Sequence, residues 1–216
     1  MPRETLNQRQ QRLTAILARL ARHYPDAHCE LNHKSAEQLL IATVLSAQCT
    51  DARVNLVTPE LFSRFPTMAA LADAPLKKIE DAIKSINFFR NKAKNLKALA
   101  TVLVNLHGGR VPRDFDALVE LPGVGRKTAN VVMGNAFNEP TGMVVDTHVQ
   151  RLSRRLGLTR EKMPVTIERD LMKFVPRETW IVLAHWLIAH GRQVCKARGP
   201  GCESCFLADI CPKKMG

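Results

Sequence analysis

Leu121-Pro-Gly-Val-Gly-Arg-Lys-Thr-Ala-Asn-Val-Val-Met133 decides the reading of this chain. Gly123 and Gly125, one residue apart, predict a tight turn around Val124, and the apolar run that follows has helical spacing. The turn therefore opens onto a helix N-terminus, whose first amides have no partner inside the helix. Such a terminus binds phosphate without reading sequence. Arg126 and Lys127 fall in its first turn. The helix dipole disfavours a positive charge there. An amine held against a phosphate backbone can then act as a nucleophile as well as a counter-charge, and the spacing alone leaves both roles open.

The surrounding sequence is helical in nearly every segment and almost free of strand-type alternation, so the predicted fold class is all-α. Leu6, Leu13, Ile16, Leu17 and Leu20 share one face of a helix over 4–22. Residues 36–47 are apolar on nearly all sides, which predicts a central helix. Ser35 is its expected cap, with Gln38 completing a capping box. Asp51 is expected to cap a helix over 52–64 that stops before Pro66. Further helices are predicted over 90–107, 114–120, 147–156, from Pro164 to before Pro176, and over 178–191. Pro140-Thr-Gly142 marks the expected crossing between two lobes. The N-terminal helix, too short to stand alone, is expected to pack with the C-terminal lobe.

The chain of 216 residues carries a formal charge of +12, which predicts a polyanionic partner. The longest uncharged runs, Gln38–Thr50 and Thr179–Gly191, fall short of the roughly 18 residues of a membrane span. The N-terminus has no apolar leader core, so a cytoplasmic protein is expected. In that compartment the six cysteines point to metal rather than to disulfides. Cys195-x6-Cys202-x2-Cys205-x5-Cys211 predicts one metal centre. Zinc is the first candidate, but only one close cysteine pair exists, and a larger cubane suits the spread of the outer two. Lys196 and Arg198 lie between the first two ligands, where an ordered loop would present them to phosphates. Cys29 and Cys49 read as ordinary side chains.

Asp146, in Val144-Val-Asp-Thr-His148, lies nineteen residues beyond Lys127 at the start of the next helix. Aspartate before Thr-His at a helix start reads first as an N-cap. Capping does not exclude a second use of the carboxylate. His148 is expected to be structural and to orient Asp146.

These motifs together resemble the endonuclease III family of DNA glycosylases. Leu121–Asn130 resembles its helix-hairpin-helix, Val145-Asp-Thr-His148 its catalytic-aspartate motif, and the 6-2-5 cysteine spacing its iron-sulfur loop. Leu45-Ser-Ala-Gln-Cys-Thr-Asp51 and His185–Arg192 are similar as well. The resemblance implies two all-α lobes: a six-helix barrel over 29–139 with the hairpin at about 114–134, and a cluster domain formed by 1–28 with 140–216. Double-stranded DNA would lie in a cleft between them.

The resemblance also implies a bifunctional repair enzyme. Lys127 would attack C1′ of the damaged nucleotide as the Schiff-base lysine. Asp146 would stabilise the oxocarbenium character that develops as the base leaves. Cys195, Cys202, Cys205 and Cys211 would hold one [4Fe-4S] cluster in the loop 195–211. A damaged pyrimidine would be flipped out, with Gln48 filling the gap. Phe88, or its neighbour Phe89, would wedge into the opposite strand. The DNA contacts would also include Gly123, Val124, Gly125, Arg126, Lys196 and Arg198. One copy of the chain is expected to suffice. The adenine glycosylases with a similar hairpin and cluster are the nearest alternative, but they generally lack the lysine found at Lys127.

Overall fold

A computed structural model describes residues 4–213, apart from the side chain of Leu6, which leaves that expected face position outside the described residues. Among the described residues every regular element is helical. Contacts divide the chain into two compact units, Cys29–Thr141 and a second made of Met1–His28 with Gly142–Gly216.

The Cys29–Thr141 unit holds α2 (Ala36–Ser46), α3 (Asp51–Arg64), α4 (Met68–Asp73), α5 (Leu76–Ala82), α6 (Phe89–His107), α7 (Phe115–Val119) and α8 (Arg126–Phe137). Leu39 through Leu45 are all buried, so α2 is the central rod its apolar circumference predicts. The Ser35 hydroxyl caps α2 by accepting from the Gln38 amide at 3.3 Å. Gln38 does not close a capping box: its side-chain oxygen reaches past Ser35 to the Lys34 amide at 2.8 Å. The cap of α3 is Thr50, which accepts from the Arg53 amide, and not Asp51. Asp51 is instead the first helical residue, where its charge faces the positive end of the helix dipole.

Two lysines of α6 close the C-terminal ends of neighbouring helices. Lys97 Nζ donates to Ala72 O and Ala74 O at 2.7 and 2.6 Å, at the C-terminal end of α4. Lys92 Nζ donates to Leu45 O and Ala47 O at 2.8 and 2.6 Å, at the end of α2. An ammonium at a helix C-terminus satisfies carbonyls that the helix leaves unpaired and sits favourably in its dipole.

The other unit holds α1 (Leu6–His23), α9 (Thr147–Arg155), α10 (Pro164–Met172), a 3-10 turn (Arg177–Thr179) and α11 (Trp180–Gln193). Thr5 and Gln8 form a reciprocal capping box that starts α1. Leu13, Ile16 and Leu20 pack in one core with Val149, Leu152, Leu183, Leu187 and Leu207. Trp186 Nε1 donates to Tyr24 O at 3.1 Å, and Arg19 donates to Phe206 O at 2.7 Å. The N-terminal helix thus finds its burial among residues more than a hundred positions away in sequence.

Candidate DNA interface and active site

The hairpin between α7 and α8 follows from its glycines, which do different things. Asp114 caps α7 through the Ala117 amide at 2.7 Å, and the buried Leu118 and Leu121 fix the approach to the turn. Gly123 has φ +77°, a left-handed conformation that an L side chain adopts only at a cost of about 1–2 kcal/mol. A Cβ there would also meet Asn95 Cβ and Nδ2 at 3.2 Å. Gly125 has φ −97° and ψ 173°, extended backbone open to any residue, and a Cβ there would meet nothing within 4 Å. No internal packing therefore calls for a glycine at 125.

Val124 is buried, and its amide donates to Leu121 O at 3.0 Å, so it anchors the turn from within. Gly125 is the N-cap of α8 and offers no capping side chain, so no side chain closes the first turn from the cap position. Lys127 is exposed in that turn. The Arg126 guanidinium sits 5.1 Å above the Phe115 ring.

Asp146 lies in the other unit, at the start of α9. Met143 and Val145 are buried and anchor the segment that leads into α9, while Asp146 itself stays half-buried. Its Oδ1 accepts from the Val149 amide at 2.8 Å, the N-cap bond its sequence predicts. That bond fixes the carboxylate and occupies only one of its oxygens. His148 makes the structural contact expected of it, with Arg151. Its Nδ1 accepts from Arg151 Nη2 at 3.1 Å, because a guanidinium can only donate and lies one helical turn on. Burial foremost lowers the His148 pKa; the Asp146 charge opposes this and the charges of Arg151 and Arg192 add to it.

Arg151 and Arg155 reach partners that helical spacing does not reveal. Arg151 Nη2 also donates to Gly191 O and Cys195 O, each at 3.0 Å. A Cβ on Gly191 would meet His148 Nδ1 at 2.8 Å and Arg151 Nη2 at 3.0 Å, so the arrangement requires glycine there. Arg155 donates to Lys196 O at 2.7 Å, to Ala197 O at 3.1 Å and to Cys195 Sγ at 3.4 Å. The two arginines tie the loop after Cys195 to α9. Periodicity shows arginines on one helix; it does not show which distant carbonyls they reach.

Cys195, Cys202, Cys205 and Cys211 all line one cavity, together with Leu152, His190 and Leu207. The backbone amides of Leu207 and Lys213 donate to the sulfurs of Cys205 and Cys211, each at 3.4 Å. His190 Nε2 lies 3.5 Å from Cys205 Sγ, and its Nδ1 lies 3.0 Å from the Tyr24 hydroxyl. Burial foremost pushes the His190 imidazole down to about 4 and raises the thiols of Cys205 and Cys211. Among the described residues no three His, Cys, Asp or Glu side chains gather closely enough for a single metal ion. Four thiols around one cavity form a donor set that a metal centre held by thiolates would use. Lys196 and Arg198 are exposed on the loop between the first two cysteines. Cys29 and Cys49 do not line this cavity and are half-buried.

Gln48 and Phe88 share a feature invisible in the sequence. Both are exposed, and both are left-handed without being glycine, at φ +55° and +57°. Each costs about 1–2 kcal/mol of backbone strain, and strain of this kind collects at functional sites. Phe88 is 65% exposed, unusual for a large apolar side chain. Phe89 is half-buried, with the Arg90 guanidinium 5.1 Å above its ring. Of the two phenylalanines, only Phe88 extends freely.

A helical fold, a glycine hairpin opening onto a helix with no side-chain cap, and an aspartate-capped helix joined to a four-cysteine loop define an all-α class of protein with a phosphate-accepting turn. Comparison with known proteins agrees. Residues 41–177 match the HhH-GPD superfamily base excision DNA repair protein profile. Endonuclease III of Synechocystis sp. is 52% identical over 204 residues, covering 94% of this chain and 93% of that one. Endonuclease III of Bacillus subtilis is 49% identical over 189 residues, covering 87% and 86%. A solved structure of a trapped endonuclease III–DNA covalent intermediate superposes with a TM-score of 0.89 at 47% identity, covering 94% of this chain and 96% of that one. The chain belongs to the endonuclease III family within the HhH-GPD superfamily. It is accordingly a base-excision repair enzyme, a DNA glycosylase and abasic-site lyase.

Proposed function

We propose that this chain removes oxidised or otherwise damaged pyrimidines from double-stranded DNA and cuts the resulting abasic strand, with Lys127 as nucleophile and Asp146 as the stabilising carboxylate. The observation that carries the residue assignment is the placement of Lys127, an exposed amine in the first turn of α8, two residues after a glycine cap with no internal need for glycine. A phosphate seated at that turn brings the sugar beside it within reach of the amine.

The lysine nitrogen bonds to C1′ as the base departs with the electrons of the glycosidic bond. The carboxylate of Asp146 stabilises positive charge on the sugar during that departure. Ring opening gives a protonated imine between Lys127 and C1′, an electron sink that acidifies the C2′ proton. Loss of that proton and cleavage of the C3′–oxygen bond cut the strand. Hydrolysis of the imine then frees the lysine. The base, which leaves with the bond electrons, takes up the proton that the amine loses on bonding to C1′.

Cys195, Cys202, Cys205 and Cys211 would hold one [4Fe-4S] cluster, whose iron–thiolate bonds would cross-link the loop. Arg155 then fixes the backbone that carries Lys196 and Arg198 toward phosphates. Gln48 occupies the space left by the flipped nucleotide, and Phe88 inserts against the opposite strand. One copy of the chain carries every residue in this scheme, which supports action as a monomer.

The test is product analysis on two duplexes, one with a single oxidised pyrimidine and one undamaged. The expected products from the first are the free damaged base and a strand ending in an unsaturated 3′ aldehyde. Release without strand cutting would make the chain a monofunctional glycosylase and remove Lys127 from its assigned role.

A further inference from the structure

Gln48 and Phe88 sit at the ends of different helices but rest on a shared support. Asn87 Nδ2 donates to Gln48 O at 2.8 Å. Lys92, four residues beyond Phe88, is 6% exposed and donates Nζ to Leu45 O and Ala47 O, at the end of the helix that leads to Gln48. The backbone amide of the same lysine donates to Phe88 O at 3.1 Å. One residue thus grips the chain before Gln48 with its ammonium and the carbonyl of Phe88 with its amide. A buried ammonium requires partners, and here the partners are the two segments that present the strained, exposed side chains.

We propose that Asn87 and Lys92 are positioning residues that hold Gln48 and Phe88 as one preassembled pair for insertion into duplex DNA opened at a damaged or abasic site. The proposal rests on the inserting roles given above to Gln48 and Phe88. Its physical content is preorganisation. Two left-handed residues held in place before binding spare the complex the entropy of finding those conformations on the DNA. Lys97 is an internal control, because it caps α4 from the same helix with the same two-carbonyl geometry but supports neither exposed residue.

The experiment uses the full-length, cluster-loaded protein and a duplex with a stable tetrahydrofuran abasic analogue facing 2-aminopurine. The fluorescence of 2-aminopurine rises when it is unstacked. Wild-type protein at saturation is expected to raise it. Asn87→Ala alters an exposed residue, so its thermal midpoint should match wild type. Its fluorescence rise should fall by half or more, and its affinity for the abasic duplex should drop roughly tenfold, as loss of a hydrogen bond to a strained carbonyl implies. Affinity for undamaged duplex should not change. Lys92→Met should show the same fluorescence loss with a lower midpoint. Lys97→Met should lower the midpoint and keep the fluorescence rise.

Full fluorescence and full abasic-to-undamaged discrimination in both Asn87→Ala and Lys92→Met would overturn the proposal. Equal fluorescence loss in Lys97→Met would also overturn it, by reducing Lys92 to a general helix stabiliser. Absence of any rise with wild type would instead refute the inserting roles themselves, a different failure.

Discussion

Alanine at Gly123 and alanine at Gly125 should produce opposite defects, although the two positions are one residue apart. At Gly123 the left-handed backbone costs an alanine about 1–2 kcal/mol. The new methyl lies 3.2 Å from Asn95 Cβ, a contact that α6 relieves only by shifting, at the low end of the usual 1–3 kcal/mol for overpacking. Reduced freedom of the unfolded chain returns about 0.4–1 kcal/mol. The net is a loss of about 2 kcal/mol, or a midpoint about 4–8 °C lower in a chain of this size. At Gly125 the backbone accepts alanine, and a Cβ meets nothing within 4 Å. The entropic gain there roughly offsets the poorer N-cap preference of alanine, so stability should stay within about 0.5 kcal/mol of wild type. In the proposed role of the hairpin, the methyl would stand where a phosphate approaches the first turn of α8. Affinity for duplex DNA at fixed salt should therefore fall about tenfold in Gly125→Ala. Thermal unfolding by circular dichroism and a binding titration read the two effects separately. Wild-type DNA affinity in Gly125→Ala, or a stability loss matching that of Gly123→Ala, would refute this division of roles.

Three other outcomes follow from the same geometry. Asp146→Asn keeps a good N-capping side chain for α9 but removes the charge, so stability should change by less than about 1 kcal/mol while base release falls at least about a hundredfold; a normal rate would exclude the carboxylate from catalysis. Purified protein should contain iron and acid-labile sulfide in equal amounts, both lost in Cys202→Ala, whereas zinc without sulfide would contradict the cluster assignment. Lys196→Ala should weaken binding to all duplexes alike and lower the salt slope of log affinity by about one, and an unchanged slope would take Lys196 off the phosphate backbone.

The helices were legible because their apolar residues recur at helical spacing over long windows, and caps such as Ser35 and Asp146 stand directly before them. Thr50 and Asp51 show where that legibility ends. Both residues are good caps, and only backbone geometry decides that Thr50 takes the role. The cysteine loop could be recognised from spacing, since its four cysteines are close in sequence. Its anchorage could not, because Arg151 and Arg155 reach carbonyls forty residues away. Lys92 is the clearest case. A lysine on an amphipathic helix reads as solvated surface, and its burial depends on carbonyls from another helix that periodicity does not locate. The two hairpin glycines look equivalent in sequence, and their different demands come from φ and from the neighbouring Asn95.

The central claim is that the amine of Lys127 forms a covalent bond with the sugar. Incubating the protein with an abasic-site duplex in the presence of borohydride reduces any imine to a stable adduct, visible as a shifted band on a denaturing gel. Wild-type protein should give that adduct, and Lys127→Ala should give none while still binding the duplex. A wild-type protein that never cross-links, or a Lys127→Ala protein that cross-links as well as wild type, would contradict the account.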